Sequence, residues 1–406
     1  MDGLDGGSGR SVLAVPDFRR LWLVGVTISV ARWLEMLVVG IVVFQQTGSA
    51  FLVAAMTLLR LAPLGLFGAL VGVLAERAPR RTSLLRVLAM QGATVACLSA
   101  LAFTGTLAVW QVALACFIGG LGWAADNPVR RMMVGEAVGP ARMSAAMSLD
   151  VMGNNASRVA GPVLGGMLLA ALGPGVAFGL AALFYLLAIA LAASLRCGLV
   201  APPASGVTVL RDLRESFGLA MGMPRLRAVL VMTMIYNLFA WPCASMIPVI
   251  GNASLGLGPD GVGVLASMDG LGALVGAALV GLLGRADRYA PIYLGGTVLY
   301  MLGMIGFAMA PSPVLAGLAL LMAGIGGAGF GTMQATLTYL AAPPELRGRA
   351  FGILSTAIGT GLLGFLQLGL LADLLGAPTA TALVATQGLV VLVVTFRWWK
   401  PMFQAG

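Results

Sequence analysis

Histidine is absent from this chain of 406 residues, and charged residues are scarce. Histidine is the side chain that most often transfers protons near neutral pH and binds transition metals. Its absence argues against a metal centre and leaves any proton transfer to carboxylates. Only 10% of the residues are charged and 59% are hydrophobic, whereas soluble domains carry about 25% charged residues. This deficit excludes an ordinary soluble domain.

Cysteine is rare too, and no catalytic motif is present. The four cysteines have no paired spacing and three lie in apolar runs, so we expect no disulfide framework. The first twenty residues are too acidic and glycine-rich for a signal peptide. The chain has no nucleophile–base spacing and no phosphate-binding loop. We therefore expect neither an enzyme nor a bound cofactor. The cysteines are Cys97, Cys116, Cys197 and Cys243.

The 24 lysine and arginine residues are sorted along the chain. All but three lie near the termini or in every second connection between apolar runs, and the exceptions are Arg32, Arg60 and Arg158. Positive residues mark cytoplasmic loops because they resist translocation. The pattern predicts a multi-pass membrane protein with both termini in the cytoplasm. It also accounts for the net charge of +9, so we do not expect nucleic acid binding.

Twelve apolar segments of about 20 residues can each cross a bilayer as a helix. They lie at about 21–44, 50–75, 84–104, 107–127, 145–172, 176–195, 226–250, 261–284, 290–310, 313–340, 350–373 and 379–397. The sequence thus predicts an all-α fold of two six-helix bundles. The predicted parts are an N-terminal tail 1–15, a bundle 16–195, a polar cytoplasmic linker 196–225, a second bundle 226–397 and a tail 398–406.

The two predicted bundles repeat each other. The stretch from Gly68 to Arg77 ends the second span, and a similar one from Gly276 to Arg288 ends the eighth. Two six-helix halves related by an axis along the membrane normal are typical of alternating-access carriers. Such carriers bind their solute between the halves, near the middle of the bilayer.

The loop between the second and third spans carries a recognisable motif. Residues 72–81 read Gly-Val-Leu-Ala-Glu-Arg-Ala-Pro-Arg-Arg. They resemble the signature loop of the major facilitator superfamily, Gly-x-x-x-Asp-Arg-x-Gly-Arg-Arg. Glu76 stands for the usual aspartate and Pro79 for a glycine. The resemblance implies a transporter fold and a gating role. The implied gating residues are Gly72, Glu76, Arg77, Arg80, Arg81, Asp126 and Arg130.

Further motifs extend the resemblance from residue 16 to about residue 397. Span five resembles the antiporter motif of the superfamily through Gly153, Ser157, Gly161, Pro162, Gly165 and Gly166. Short motifs at 17–22, 47–49, 126–131 and 344–349 resemble a narrower group that contains enterobactin exporters and macrolide-efflux proteins. The solute is not implied.

The physical content of these motifs can be stated separately. Glu76 can accept hydrogen bonds from cations or from a helix N-terminus, and Asp126 is a candidate partner for the arginines of the loop. Alternatively, the arginine cluster only fixes topology and contacts anionic headgroups. In span five, glycine allows close approach of a second helix and Pro162 favours a bend.

Ionisable groups inside a span cost about 2.5–3.5 kcal/mol each on insertion scales, so we take six of those within the predicted spans as functional candidates. They are Arg32, Glu35, Arg60, Asp150, Arg158 and Asp269. Arg32 and Glu35 are i, i+3 neighbours that can pair, and Arg60 can balance Glu35 or bind an anionic solute. The candidates for proton coupling are Glu35, Asp150 and Asp269. The alternative is that these groups form buried structural pairs or, for Asp150, cap neighbouring helices.

Polar and aromatic side chains within the spans are candidates for solute binding. Asp150, Asn154, Ser157 and Arg158 follow helical spacing on span five. Spans seven, ten and eleven contribute further residues that lie deeper than an interfacial aromatic belt. With the buried arginines, the candidate set is Arg32, Arg60, Arg158, Asn154, Tyr236, Asn237, Trp241, Gln334 and Gln367.

These observations predict a proton-coupled exporter, an antiporter, of a small amphipathic solute such as a siderophore or a drug. The chain is rich in alanine, glycine and arginine and poor in lysine, which favours a bacterial source and hence a bacterial inner membrane. We also expect a monomer. One alternative is an uncoupled or import-direction carrier. Another is a non-transporting membrane partner that uses the carrier fold as a scaffold. The charges at mid-depth favour transport, since a scaffold has no need of them.

Overall fold

The computed structural model describes residues 12–76, 79–139, 142–197, 222–283, 285–343 and 346–403. Across these ranges the regular structure is helical, with no strand. We number the helices that correspond to the predicted spans α1 to α12. The predicted linker 196–225 and the predicted N-terminal tail lie largely outside the described residues, and their boundaries stay predictions.

The first bundle contains six spans. They are α1 (Pro16–Thr47), α2 (Ala50–Glu76), α3 (Arg80–Phe103), α4 (Val109–Val138) and the pair α5 and α6 in the helical stretch Met143–Ala193. Gly173 interrupts that stretch with φ 80° and ψ 177°. This left-handed conformation favours glycine, and Pro174 follows it as the first residue of α6. The chain thus reverses between α5 (143–172) and α6 (174–193).

The second bundle contains the other six. They are α7 (Pro224–Ser254), α8 (Pro259–Leu283), α9 (Tyr289–Ala308), α10 (Pro313–Ala341), α11 (Arg347–Gly359 and Gly361–Leu375) and α12 (Ala377–Val394). A short helix, Phe396–Trp399, follows α12. Trp399 Nε1 donates to the carbonyl oxygen of Leu392 at 2.8 Å, which fixes this helix against the end of α12.

The twelve predicted spans are confirmed. Within the described ranges, ten helical stretches are long and apolar enough to cross a membrane. One of them, Ala145–Ala193, contains both α5 and α6 and therefore supplies two spans. The twelfth is α2, whose apolar part is described from Ala50 to Pro63.

The two ends of the molecule differ in charge. We call the end that holds Arg20, Arg80 and Arg81 the arginine-rich end and the other the opposite end. At the arginine-rich end, Arg20 Nη1 donates to the carbonyl oxygen of Ser194 at 3.0 Å, and Arg81 Nη2 donates to that of Ala193. These carbonyls end α6, and a cation there satisfies acceptors that the helix leaves unpaired.

Two helices of the second bundle are irregular at mid-depth. In α7, a π-helical turn at Tyr236–Ala240 leads into a 3₁₀ turn at Trp241–Met246. Pro242 cannot donate a backbone hydrogen bond, which explains the loss of regular geometry. Next to it, α11 is interrupted at Thr360. A Cβ on Gly364 would lie 2.4 Å from the carbonyl oxygen of Leu238, so the two irregular helices pack backbone to backbone.

The two bundles meet where small residues face each other. A Cβ on Gly166 of α5 would lie 2.9 Å from Cα of Gly263 in α8, and one on Gly263 would lie 2.5 Å from the carbonyl oxygen of Pro162. Such contacts need residues without side chains. This contact joins the bundles in the half of the molecule near the opposite end.

A polar contact closes the opposite end between α2 and α11. Asp373 accepts hydrogen bonds from the backbone N–H of Phe51 at 2.9 Å and from Ser49 Oγ at 3.1 Å. The Phe51 N–H belongs to the first turn of α2, where helices leave donors free and favour negative charge. Asp373 of one bundle therefore caps a helix of the other.

Close packing inside the second bundle yields a stability prediction. A Cβ on Gly272 of α8 would lie 2.1 Å from the carbonyl oxygen of Leu321 in α10, whereas one on Gly295 of α9 would meet nothing within 4 Å. Gly272→Ala should cost about 1–3 kcal/mol, the usual range for overpacking, and lower the thermal unfolding midpoint in detergent. Gly295→Ala is the matched control. Equal midpoints for the two variants would contradict this packing.

Candidate functional site

A cavity of about 930 Å³ lies between the two bundles. Helices α1, α2, α4 and α5 line one side, and α7, α8, α9 and α11 line the other. Its walls are mainly apolar and aromatic, with three charged side chains among them. The lining residues used below are Trp33, Met36, Met56, Arg60, Arg158, Trp241, Asp269, Tyr300 and Phe365.

An ion pair crosses this cavity from one bundle to the other. Arg158 Nη2 of α5 donates to Asp269 Oδ2 of α8 at 2.5 Å. Asp269 is 8% exposed, and the guanidinium lies 5.0 Å from the centroid of the Trp33 ring, within the range of a cation–π contact. A Cβ on Gly270 would lie 2.7 Å from the Arg158 backbone, so the absence of a side chain there lets the pair form.

A second ion pair lies within the first bundle, beside the cavity. Arg60 Nη2 of α2 donates to Glu35 Oε2 of α1 at 3.3 Å, and both side chains are about 6% exposed. Arg60 and Cys116 also line a smaller cavity of about 280 Å³ inside the first bundle, together with Glu35, Gln91 and Tyr185. Arg60 therefore forms part of the wall between the two cavities.

Arg32 pairs with a different acid from its neighbour in sequence. Its Nη2 donates to Asp126 Oδ2 of α4 at 2.7 Å, and its guanidinium lies 4.8 Å from the centroid of the Trp123 ring. The i, i+3 spacing left open a pair between Arg32 and Glu35, but Arg60 occupies that carboxylate instead. The structure gives Asp126 a partner on α1 that the loop motif did not predict.

Asp150 lies away from the cavity, near the arginine-rich end. Its two carboxylate oxygens accept from Arg130, Oδ1 from Nη1 and Oδ2 from Nη2, the latter at 3.1 Å. A Cβ on Gly25 of α1 would lie 2.5 Å from Arg130 Nη1, so glycine makes room for the guanidinium. The contact joins α4 to α5, and the geometry favours the structural alternative for Asp150.

The residues of the gating motif are described in part. Arg80 forms an ion pair with Glu136 at the end of α4, and Arg81 caps α6 as described above. Both contacts lie within the first bundle. Arg77 and the side chains of Gly72 and Glu76 lie outside the described residues, so their gating role stays a prediction.

The glycines of the antiporter-like motif lie at close helix contacts. Gly153, Gly161 and Gly165 face α1, where an added Cβ would lie 2.6–3.2 Å from its atoms. Ser157 Oγ donates to the carbonyl oxygen of Gly153 at 2.8 Å. Gly166 faces α8 of the other bundle, and Pro162 lines the cavity. One face of α5 thus fixes it to its own bundle, and another contacts the partner bundle.

Only part of the predicted solute-binding set lines the cavity. Arg60, Arg158 and Trp241 do. Tyr236 stacks on Phe330 with ring centroids 3.6 Å apart. The remaining members turn to other partners or to the surface. Arg32 pairs with Asp126, Asn237 donates to the Thr233 carbonyl, Gln334 to the Thr233 hydroxyl, Gln367 to Gln387, and Asn154 is exposed.

Several cavity residues were not predicted from the sequence. Trp33, Tyr300 and Phe365 supply aromatic walls, and Met36 and Met56 supply flexible apolar ones. Trp33 directly follows Arg32, but neighbouring positions on a helix point about 100° apart. Aromatic and methionine residues within apolar spans carry no spacing that separates a cavity wall from packing.

Two six-helix bundles, twelve spans and a charged cavity between them define a membrane transporter of the major facilitator type. The chain belongs to the transmembrane secretion effector family, whose family model matches residues 8–405. This confirms the resemblance predicted from the motifs. It also shows that the chain is a transporter and not an enzyme.

Relatives of known name agree with this assignment. The chain is 22% identical over 353 residues to macrolide efflux protein A of Streptococcus pyogenes, with 82% of this chain and 83% of the relative covered. It is 24% identical over 387 residues to YfiS of Bacillus subtilis, an uncharacterized MFS-type transporter, with 90% of each covered. Efflux proteins are thus among its relatives.

Solved structures of transporters share the fold. A bacterial homologue of the human lysosomal transporter Spinster, inward-facing and unoccupied, superposes with a TM-score of 0.70 at 16% identity, covering 99% of this chain and 97% of that one. A POT family transporter in complex with a thioalcohol-conjugated peptide gives 0.77 at 13% identity, covering 95% and 96%. At these identities the likeness concerns the fold alone.

The Arg130–Asp150 pair yields a test of its structural role. Asp150→Asn leaves a buried guanidinium without its counter-ion, and breaking such a pair costs about 3–5 kcal/mol. We expect a clearly lower thermal unfolding midpoint. The double variant Arg130→Gln with Asp150→Asn should recover most of the loss, because no charge remains uncompensated. A double variant no more stable than Asp150→Asn would contradict this role.

Proposed function

We propose that the protein is a proton-coupled exporter of a small amphipathic solute that works by alternating access. The cavity between the bundles is the solute site, and Asp269 is the carboxylate that takes up the coupling proton. Efflux among the named relatives supports the direction of transport. The arginine-rich end then faces the cytoplasm of a bacterial cell, as the distribution of positive charge predicts.

The ion pair between Arg158 and Asp269 is the observation that carries this proposal. It is a contact inside the cavity through which a single proton can change how the bundles are joined. Protonation of Asp269 removes the charge that holds Arg158, and a neutral carboxyl makes a weaker bond to a guanidinium than a carboxylate does. If a proton binds more tightly to one of two conformations, its binding shifts the equilibrium towards that conformation.

The contacts of the opposite end support an inward-open arrangement. Asp373 joins α11 to α2 there, and Gly166 and Gly263 join α5 to α8. In the other half of the molecule, Asn154 is exposed one turn from Arg158 on the same face of α5. A side-chain amide against lipid is costly, so this exposure favours a water-filled path from the arginine-rich end to the cavity.

Transport in liposomes tests proton coupling. Vesicles with an acidic interior and purified protein should accumulate uncharged amphipathic drugs, with chloramphenicol as the first probe, because outward proton flow drives uptake. A pH gradient alone does not concentrate an uncharged compound. Asp269→Asn should lower gradient-driven accumulation at least tenfold, and Asp260→Asn, an exposed acid on the same helix, should not change it.

The outcome also separates the alternatives. Accumulation that survives collapse of the gradient by a protonophore, or an unchanged rate in Asp269→Asn, would replace the proposal with an uncoupled carrier.

The closed opposite end yields a second test. Asp373→Asn removes a charged acceptor, and hydrogen bonds to charged groups contribute about 1.5–3 kcal/mol. The population open at the opposite end should therefore rise about tenfold. A cysteine at Val53, in a background without native cysteines, should react correspondingly faster with an impermeant thiol reagent added from that side. Asp260→Asn is the control, and an unchanged labelling rate would mean that Asp373 does not hold the end closed.

A further inference from the structure

We infer that the cavity selects solutes of zero net charge that carry a hydrogen-bond donor and acceptor side by side, and that the Arg158–Asp269 pair recognises them. The inference rests on the proposed function, because it concerns the solute of the same site. It goes beyond that function by naming the chemical class of the solute. Amides, lactams and hydroxy-ketones attached to an apolar or aromatic body belong to this class.

The free atoms of the ion pair carry the first part of the argument. Arg158 and Asp269 bind each other through Nη2 and Oδ2. Within the described part of the chain, Arg158 Nε and Asp269 Oδ1 are buried and have no hydrogen-bond partner. The pair thus keeps at least one buried donor and one buried acceptor free, and a buried polar atom without a partner is costly. A solute that offers an acceptor and a donor together satisfies both.

The charge balance of the cavity carries the second part. Among the described residues, its charged lining groups are Arg60, Arg158 and Asp269. Glu35 neutralises Arg60, and Arg158 and Asp269 neutralise each other. A solute with a single positive charge either displaces Arg158 from Asp269, which leaves a guanidinium unpaired in the membrane, or adds an uncompensated charge to a neutral cavity. A solute with a single negative charge leaves the carboxylate unpaired. Removing one partner from a buried pair is strongly unfavourable.

The walls of the cavity define the rest of the solute. The Trp33 ring lies under the Arg158 guanidinium, and Trp241 meets Phe365 edge to face with centroids 5.7 Å apart. Tyr300 and two methionines complete the aromatic and apolar surface. The solute therefore combines an apolar body with one compact polar group.

One scaffold in four charge states tests the inference. Phenylalanyl-phenylalanine is a zwitterion at pH 7, its C-terminal amide is a monocation, its N-acetyl acid is a monoanion, and its N-acetyl amide is uncharged. Binding to purified protein in nanodiscs is measured at pH 7 without a gradient, so the result does not depend on proton coupling. We expect the N-acetyl amide to bind most tightly, the zwitterion next, and both singly charged forms at least tenfold more weakly.

Variants of the pair should change the preferred charge. In Arg158→Gln the carboxylate stands alone, and the monocation should become the tightest ligand. In Asp269→Asn the guanidinium stands alone, and the monoanion should become the tightest ligand. The double variant Arg158→Gln with Asp269→Asn should again prefer the N-acetyl amide. Asp260→Asn should keep the wild-type order. A purely structural role of the pair would lower all affinities together and would not exchange their order.

Three results would overturn the inference. They are tightest binding of either singly charged form to the wild type, equal binding of all four forms, and no measurable binding of any form at millimolar concentration. The predicted order without proton-driven flux would remove the proposed coupling but support the recognition of uncharged solutes. Proton-driven flux without the predicted order of binding would support the proposed coupling and overturn the recognition of uncharged solutes.

Discussion

The bridge between Arg158 and Asp269 is the contact on which the architecture of this transporter depends. It joins α5 of one bundle to α8 of the other, within the cavity, at a depth where an unpaired charge is costly. Each bundle therefore needs the other to keep its charge compensated. A bond of this kind holds the bundles together, and in the proposed function it is the bond that a proton and the solute alter. The same two side chains then serve both binding and movement.

Three further ion pairs extend this bridge through the first bundle. Glu35 joins α1 to α2, Arg32 joins α1 to α4, and Arg130 joins α4 to α5. With the bridge, the four pairs link α2, α1, α4, α5 and α8 in that order. Seven of the eight charged partners are on the first bundle, so that bundle holds most of the charge in these pairs. The second bundle contributes one acid, an aromatic wall and two irregular helices, α7 and α11.

Much of this organisation can be predicted from the sequence, because the membrane imposes strong rules. Span length, the sorting of arginine and the glycine motif of α5 predicted twelve helices in two bundles. Charge inside the predicted spans singled out six of the eight groups that form the pairs, and Asp126 and Arg130 came from the motif resemblance instead. The pair of Arg60 with Glu35 was among the expected alternatives. The other partners could not be predicted: the spacing of Arg32 and Glu35 allows a pair on one helix, but each side chain points to a different neighbour. Which acid each arginine contacts depends on how the helices are rotated about their axes. The same rotation decides whether residues such as Trp33 and Tyr300 line the cavity.

The contact of Gly166 with Gly263 has a consequence for how such a molecule can diversify. The two backbones touch without side chains between them, so no interlocked side chains oppose a rotation of one bundle against the other at this point. A side chain at either position would push the two bundles apart. Most of the cavity walls, among them Trp33, Met56, Trp241, Tyr300 and Phe365, lie on helices other than α5 and α8, so substitutions there leave this contact undisturbed. Related chains can therefore change their solute by changing the residues of the cavity wall, while the glycine contact between the bundles stays the same.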